Sequence, residues 1–194
     1  MNFKLRFCKS YFTVILFYAT NLLFSQQNAI QVANEDELIF ALKKIKGNDI
    51  IEILPGEFNL NAKIDITLIT TKDKPAIIRA KSPGTVKFIG NTWFSFKNSS
   101  FISIEGIEFL SIDGPAVELL GCNNIRVTNN VFHLKETKKS SWIFIGNEEG
   151  AKSNTSHHNR IDHNLFENKK ELGNFITIEG TMAQIVRASC RERV

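Results

Sequence analysis

The sequence is poor in cysteine, proline, tyrosine and tryptophan, and the shortage of cysteine is the most informative. Of 194 residues only three are cysteine, four proline, two tyrosine and two tryptophan. Cys8 and Cys190 lie near the two ends, so Cys122 is the only cysteine in the body of the chain. An internal disulfide framework is therefore excluded. Cys122 is predicted to be a small buried residue at a turn, because a nucleophilic thiol would need a base and cationic surroundings.

The chain also lacks an apolar run long enough to span a bilayer, which takes about 20 residues. Its longest run, Tyr11–Phe24, is shorter and is broken by polar residues. The basic residues Lys4, Arg6 and Lys9 precede this run, and the small Ser25 follows it. This order is typical of a cleaved secretory signal, whereas a transmembrane anchor would need a longer run. We predict a signal peptide over residues 1–25, a secreted or periplasmic protein, and no stable membrane association after cleavage.

An excess of positive charge is likewise missing from the body of the chain. The formal net charge is +4 and the isoelectric point is about 9.0. Residues 1–25 contain three cations and no acidic residue, so the mature chain carries +1. Residues 187–194 contribute a further +2, which leaves −1 for the body. No nucleic-acid partner is predicted, since the basic residues are concentrated at the ends.

One helix is predicted, over residues 34–47. Asn34 is a suitable N-cap, and Glu37 completes a capping box three residues later. Gly47 is a natural helix end. Apolar residues recur at intervals of three and four between these ends, at Leu38, Ala41, Leu42 and Ile45. After this helix the chain consists of short apolar runs separated by turns. The runs predict strands at Ile50–Leu54, Ile64–Ile69, Ile77–Ile78, Val86–Ile89, Phe94–Phe96, Val117–Leu120, Trp142–Ile145 and Phe175–Ile178.

An internal repeat determines the predicted fold. The segments 101–109, 124–132 and 158–166 align, and each ends in phenylalanine. A turn-prone residue stands three positions before each phenylalanine, at Gly106, Asn129 and His163. About 23 residues per copy, all in strands, is typical of one coil of a parallel β-helix. We predict an all-β parallel β-helix whose N-terminal end is capped by the helix. A β-sandwich is the alternative, but it should show more hairpin turns than the single Asp113-Gly114 pair.

Three polar segments are candidates for a site or an exposed loop. His157, His158 and His163 cluster with Asp162 and could form a transition-metal site. Because His163 occupies the repeat's turn position, a role at the corners of the coils is favoured. The insertion 135–154 is predicted to be an exposed loop beside a binding face. The stretch Lys169-Lys170-Glu171 is predicted to be a solvated loop.

The segment HNRIDHNLF at 158–166, followed by KKELGN at 169–174, resembles polysaccharide lyase family 6, the group of alginate lyases and chondroitinase B. The opening GNDIIEILPGEF at 47–58 is similar to the start of that family. The resemblance extends from about Gln31 to Gly180. It implies a right-handed parallel β-helix domain over residues 26–180. It also implies cleavage of a uronate-containing polysaccharide, either alginate or chondroitin or dermatan sulfate, by β-elimination.

The resemblance further implies a Ca²⁺ cofactor and an anionic polysaccharide partner. Removal of the proton at C5 builds negative charge beside a carboxylate, and a bound cation neutralises it. Asn174 matches an asparagine that ligates Ca²⁺ in the family. The family's two glutamate ligands, its catalytic lysine and its catalytic arginine come later in the sequence than this match. No catalytic residue is therefore assigned, and Lys169 and Lys170 precede the position of the family's base.

Residues 181–194 are expected to be an atypical tail, because Ile185–Val194 shows neither alternation nor turn signals. Since family members are considerably longer, we expect an N-terminal piece, truncated at the C-terminus and inactive alone. Two other functions remain open. One is a non-catalytic carbohydrate-binding or structural β-helix. The other is a β-helix uronate epimerase or glycoside hydrolase. A hydrolase should carry paired carboxylates, and Asp162 and Glu179 are the only acids near the relevant strands.

Overall fold

A computed structural model describes residues 28–147 and 155–180, together with the backbone of residues 187–193. The predicted signal peptide lies outside the described residues, as do residues 181–186 of the expected tail. In the part of the chain that the structure describes, no helix is both long enough and apolar enough to cross a membrane.

The described chain forms one helix, α1 (Glu35–Lys44), and sixteen short strands. In chain order the strands are β1 (Asn28–Val32), β2 (Asp49–Ile53), β3 (Gly56–Phe58), β4 (Lys63–Ile66), β5 (Ala76–Ala80), β6 (Val86–Phe88), β7 (Trp93–Lys97), β8 (Ile102–Glu105), β9 (Ile107–Phe109), β10 (Val117–Leu120), β11 (Arg126–Thr128), β12 (Val131–Phe132), β13 (Ile143–Gly146), β14 (Arg160–Glu167), β15 (Ile176–Ile178) and β16 (Arg187–Arg193).

The strands stack in three parallel rows, and each coil of the chain adds one strand to each row. The first row is β1-β2-β5-β8-β11-β14 and the second is β3-β6-β9-β12-β14, where the long strand β14 serves both. The third row is β4-β7-β10-β13-β15. All these pairings are parallel, as in a parallel β-helix and unlike the hairpins of a β-sandwich. The predicted fold class is confirmed.

The register of the strands follows the sequence repeat. Val127 pairs with Ile104 on one side and with Ile161 on the other. Phe132 pairs in the same way with Phe109 and Phe166. The three phenylalanine rings stack inside the coils, with centroids 4.9 Å apart for each neighbouring pair and interplanar angles of 5° and 9°. This separation matches the spacing of adjacent strands, about 4.8 Å, so the repeat continues as a ladder of rings in the core.

The turn-prone residues of the repeat have left-handed backbone conformations. Gly106 has φ 71°, Asn129 has φ 55° and His163 has φ 55°. Glycine adopts this region freely, and asparagine and histidine are enriched in it among other residues. Each of these residues turns the chain from the first row of strands into the second. His163 therefore has a backbone role that needs no metal.

A ladder of buried asparagines satisfies backbone groups at the same corners. Asn130 Oδ1 accepts from the amide of Ile107, and Asn164 Oδ1 accepts from the amide of Asn130, each at 3.0 Å. Asn164 Nδ2 donates to the carbonyl of Val127 at 2.8 Å. Both asparagines are only 1% exposed. The side chains thus supply hydrogen bonds that the backbone cannot make where a strand turns.

The helix begins as predicted but ends earlier. Asn34 Oδ1 accepts from the amide of Glu37 at 3.0 Å, and α1 ends at Lys44, before the predicted end at Gly47. A Cβ on Gly47 would lie 2.3 Å from Thr70 Oγ1. Gly47 is therefore required by the close approach of a neighbouring loop and does not end the helix. The buried face of α1 joins the core at the N-terminal end of the coils.

Strands β1 and β16 lie where no strand was predicted. Strand β1 pairs in parallel with β2, so it covers the edge that α1 alone was expected to cover. The backbone of Arg187–Arg193 pairs in parallel with β14, with a register shift between Asp162 and Asn164. A parallel ladder is built from backbone groups, so a segment without apolar alternation can still extend one.

Cys122 is buried, as predicted. Its thiol donates to the carbonyl of Phe96 at 3.2 Å.

Candidate functional site

Asn174 lies in the loop that connects β14 to β15, at the entrance to the third row of strands. Its side chain is exposed, and its Nδ2 donates to Thr177 Oγ1 at 3.4 Å. Its carbonyl accepts from the amide of Trp142 at 3.4 Å. The preceding Gly173 has φ 135°, and a Cβ there would lie 2.3 Å from the carbonyl oxygen of Ser140. The loop is thus packed tightly against the corresponding loop of the coil before it.

Beneath this loop lies a buried charged group, which we call the Glu136 cluster: Glu136, Ser140, Trp142 and Lys169. The side chains of Glu136 and Lys169 are 1% and 9% exposed and form an ion pair. Glu136 Oε1 also accepts from Trp142 Nε1 at 2.6 Å and from Ser140 Oγ at 2.8 Å. Lys169 Nζ donates to the carbonyl of Ser140 at 3.1 Å and lies 4.9 Å from the centroid of the Trp142 ring.

The prediction of a solvated loop was therefore wrong for Lys169, and the predicted exposure of the insertion was wrong at Glu136. Trp142 is fully buried, and its ring excludes water from the neighbouring charges. A buried charge of this kind has to be paired and hydrogen-bonded. The sequence signal was the tryptophan, because a buried indole nitrogen requires an acceptor and Glu136 stands six residues earlier. Residues 148–154 of the insertion lie outside the described part of the chain.

The residues around Asn174 do not by themselves fit a Ca²⁺ ion. Ca²⁺ in proteins takes six to eight oxygen ligands, mostly from carboxylates and carbonyls. Among the described residues no group of three or more histidine, cysteine, aspartate and glutamate side chains could hold a metal. Glu136, the carboxylate beneath the loop, is hydrogen-bonded within the buried cluster. Of the ligands that the resemblance implies, the described residues contain Asn174.

A second polar group lies on the outer face of the first row, around Asp162. Arg126 donates to both carboxylate oxygens of Asp162, at 3.1 and 3.0 Å. Arg160 Nη2 and His163 Nδ1 lie 2.7 and 3.0 Å from Oδ2. The Asp162 side chain is 2% exposed, whereas the guanidinium side chains are about half buried. Burial raises the pKa of Asp162, but the hydrogen bonds from Arg126 and His163 and the positive charge of Arg126 outweigh it and hold that pKa well below its usual range.

The structure divides the predicted histidine cluster into two groups. His163 accompanies Asp162, while His157 and His158 face each other before β14 with their Nδ1 atoms 2.7 Å apart. The two acids considered for hydrolysis are also placed apart: Asp162 lies in the first row, and Glu179 follows β15 of the third. Because Asp162 already carries three cationic or hydrogen-bonding partners, this arrangement does not provide a pair of opposed carboxylates.

Comparison with solved structures shows the same fold in several lyases. The alginate lyase AlyGC of polysaccharide lyase family 6 matches with a TM-score of 0.64 and 21% identity, over 79% of this chain and 21% of that one. A mannuronic acid specific family 6 lyase from human gut microbiota matches with a TM-score of 0.55 and 16% identity, over 74% and 41%. The family 6 lyase Pedsa3628 from Pseudopedobacter saltans matches with a TM-score of 0.54 and 22% identity, over 77% and 34%.

At these identities the structural likeness establishes the fold, and the chain spans less than half the length of each of these three lyases. No curated protein matches the sequence. The sequence model of the chondroitinase B family matches residues 32–188, which is most of the chain. That range includes the strand β14 and the Asn174 loop, which carry the resemblance noted in the sequence. The protein belongs to the chondroitinase B family.

Proposed function

We propose that this chain is part of a polysaccharide lyase that cleaves a uronate-containing polysaccharide by β-elimination. The observation that carries the proposal is the family match over residues 32–188, which includes the HNRIDHNLF strand and the loop ending in Asn174. Two of the solved relatives are an alginate lyase and a mannuronic acid specific lyase. Both names describe enzymes of anionic polysaccharides, so we propose alginate or a uronate-bearing glycosaminoglycan as the substrate class.

The proposed reaction removes the proton at C5 of a uronate and breaks the bond from C4 to the glycosidic oxygen. The electron pair of the C5–H bond forms the new double bond, and the leaving oxygen is protonated. Negative charge develops next to the substrate carboxylate, so the site has to stabilise it electrostatically. We propose that Ca²⁺ supplies part of this stabilisation and that Asn174 is one of its oxygen ligands. A complete Ca²⁺ site would need further oxygen ligands from residues that the structure does not describe.

The described residues hold the loop of Asn174 and contain no residue that we assign as the base. Lys169 stands close to Asn174 in sequence, but its ammonium group is committed to Glu136 and to the carbonyl of Ser140. A general base needs a free electron pair within hydrogen-bond reach of the substrate proton. A buried ammonium that already donates to a carboxylate is unsuited to that task. Lys170 belongs to the exposed part of the loop.

A direct assay tests the proposed activity. Purified protein, with Ca²⁺, is given alginate, chondroitin sulfate or dermatan sulfate, and the unsaturated product is followed by its ultraviolet absorbance. We expect no product from the 194-residue chain. We expect clear product from a longer protein that contains the complete lyase domain, which we call the continued chain. Product from the 194-residue chain would show that its own residues supply the base. If the continued chain is inactive on every uronate polymer, a carbohydrate-binding or structural β-helix is favoured.

Calcium titration tests the role of Asn174 separately. In the continued chain, Asn174→Ala is expected to weaken Ca²⁺ binding by about tenfold or more, because Ca²⁺ affinity depends on the number and charge of its oxygen ligands. Asn91→Ala is the matched control, since Asn91 is also an exposed loop asparagine and is expected to leave Ca²⁺ affinity unchanged. Equal Ca²⁺ affinity in both variants, measured by calorimetry, would remove Asn174 from the site.

A further inference from the structure

We propose that Glu136 and Lys169 are positioning residues that fix the loop bearing Asn174 against the preceding coil. The functional importance of a fixed loop rests on the proposed role of Asn174 as a Ca²⁺ ligand. The order of the loop itself does not depend on that role and can be measured without metal. Glu136 lies in the insertion between two copies of the repeat, outside the segments that carry the resemblance, whereas Lys169 is the first residue of KKELGN.

The contacts of the Glu136 cluster reach the Asn174 loop at several successive points. Lys169 stands at the start of the loop, and its Nζ contacts both Glu136 and the Ser140 carbonyl. The amide of Glu171 lies 3.4 Å from Glu136 Oε2. The same Ser140 carbonyl lies so close to Gly173 that only a residue without a side chain fits there. The path from the buried ion pair to Asn174 is therefore a series of direct contacts.

The backbone of Trp142 and Ile143 completes the connection. Trp142 donates its indole N–H to Glu136 and its amide to the carbonyl of Asn174. The amide of Ile143, the first residue of β13, donates to the carbonyl of Phe175 at 2.9 Å. One tryptophan thus links the Glu136 carboxylate to the backbone of the proposed ligand. A shift of Glu136 would move the Trp142 side chain. The start of β13 would move with it, and the Asn174 loop is hydrogen-bonded to that part of the strand.

Energetics also favour positioning over simple stabilisation. Burying two charges costs several kcal/mol per ion, and their attraction often does little more than offset that cost. An apolar pair of similar size would stabilise the loop at least as well. A buried pair with five directed hydrogen bonds, however, restricts the loop to one arrangement, and such restriction is what an ion site needs from its surroundings.

Hydrogen exchange of two amides provides the test, with the metal-free 194-residue chain. The amides of Trp142 and Ile143 report on the Asn174 loop because its carbonyls are their acceptors. We expect Glu136→Gln and Lys169→Met each to increase exchange at these amides by about tenfold or more, as expected when a local contact is lost. The amide of Phe94, which donates to Ala116 in earlier coils, is the internal reference and should not change.

Two further variants separate positioning from general stabilisation. Lys169→Arg keeps the charge but supplies its donors from a larger, planar group, so exchange at the two amides should increase less than in Lys169→Met. Lys97→Met removes the more exposed ion pair with Asp65 and is the matched control for loss of a lysine. It should leave the Trp142 and Ile143 amides unchanged.

The results test the positioning role of Glu136 and Lys169 separately from the proposed ligand role of Asn174. Unchanged exchange at Trp142 and Ile143 in both Glu136→Gln and Lys169→Met would overturn the positioning role. Equal acceleration at Phe94, with a lower melting temperature, would also overturn it, because the pair would then be a general stabilising element. If Asn174→Ala leaves Ca²⁺ affinity unchanged while the exchange result holds, the ligand role fails and the positioning role stands.

Discussion

Replacing Asp162 with alanine is expected to lower the free energy of unfolding by about 3 kcal/mol, the lower end of what breaking a buried ion pair costs. The Asp162 carboxylate is almost fully buried and contacts Arg126, Arg160 and His163. Its removal leaves the two guanidinium groups facing each other on adjacent strands, since Arg126 and Arg160 are register partners. Like charges directly opposite each other destabilise a sheet. Because both arginines are partly exposed, water screens their repulsion and limits the loss.

The effect of Asp162 should depend on pH in a defined direction. Its pKa in the folded protein is lowered, and in the unfolded chain it is about 3.9. A group with a lowered folded pKa stabilises the protein above its unfolded pKa, and this contribution is lost as the pH falls toward the folded pKa. The stability difference between the original protein and Asp162→Asn should therefore be constant from about pH 5 to 7. It should shrink progressively below about pH 4.

Urea unfolding of the two proteins across this pH range measures the difference. Asp65→Asn is the control, because Asp65 also pairs with a cation, Lys97, but its side chain is 54% exposed. An exposed pair contributes at most about 1 kcal/mol. Two results would contradict this account: equal destabilisation by Asp162→Asn and Asp65→Asn, or a loss of stability in Asp162→Asn that becomes larger in acid. Either result would mean that the ionised Asp162 carboxylate does not stabilise the folded protein.

The sequence predicted the parallel stack of coils well, because in a solenoid each copy of the sequence repeat forms one coil. One apolar residue and one phenylalanine per copy are enough to set the register of two rows of strands, as Val127 and Phe132 show. The turn residues were equally clear, since the left-handed backbone favours glycine, asparagine and histidine. Strands β1 and β16 were not predicted, because neither belongs to a copy of the repeat that sets the register of the other strands.

The candidate site was predicted only in part, because its decisive contacts join residues of different coils. Asn174 was found through the order of residues in a known motif, which lies along one stretch of chain. Glu136 and Lys169 are 33 residues apart, and the spacing between them contains an insertion that interrupts the repeat. A lysine and a glutamate in polar stretches are ordinarily solvated. Only the stacking of the two loops around Trp142 places them in a buried pair.

Phe132→Ala is expected to have the largest effect on stability, a loss of about 3–5 kcal/mol, because removal of a buried phenylalanine side chain leaves a cavity. The ring of Phe132 is fully buried between those of Phe109 and Phe166. In a solenoid each coil is stabilised mainly by its neighbours on the two sides. The substitution therefore weakens both interfaces of one coil at once, and the free energy of unfolding in urea should fall accordingly.

The same argument predicts a gradient along the ladder. Phe58 is also fully buried, but among the described aromatic residues its ring contacts that of Phe88 alone, at 5.6 Å and 45°. Phe58→Ala should therefore cost roughly 1 kcal/mol less than Phe132→Ala, the value of one aromatic contact. Phe40→Ala, on the exposed face of α1, should change stability by less than about 0.5 kcal/mol. Equal losses for Phe58 and Phe132 would mean that the second ring contact of Phe132 contributes nothing measurable to stability.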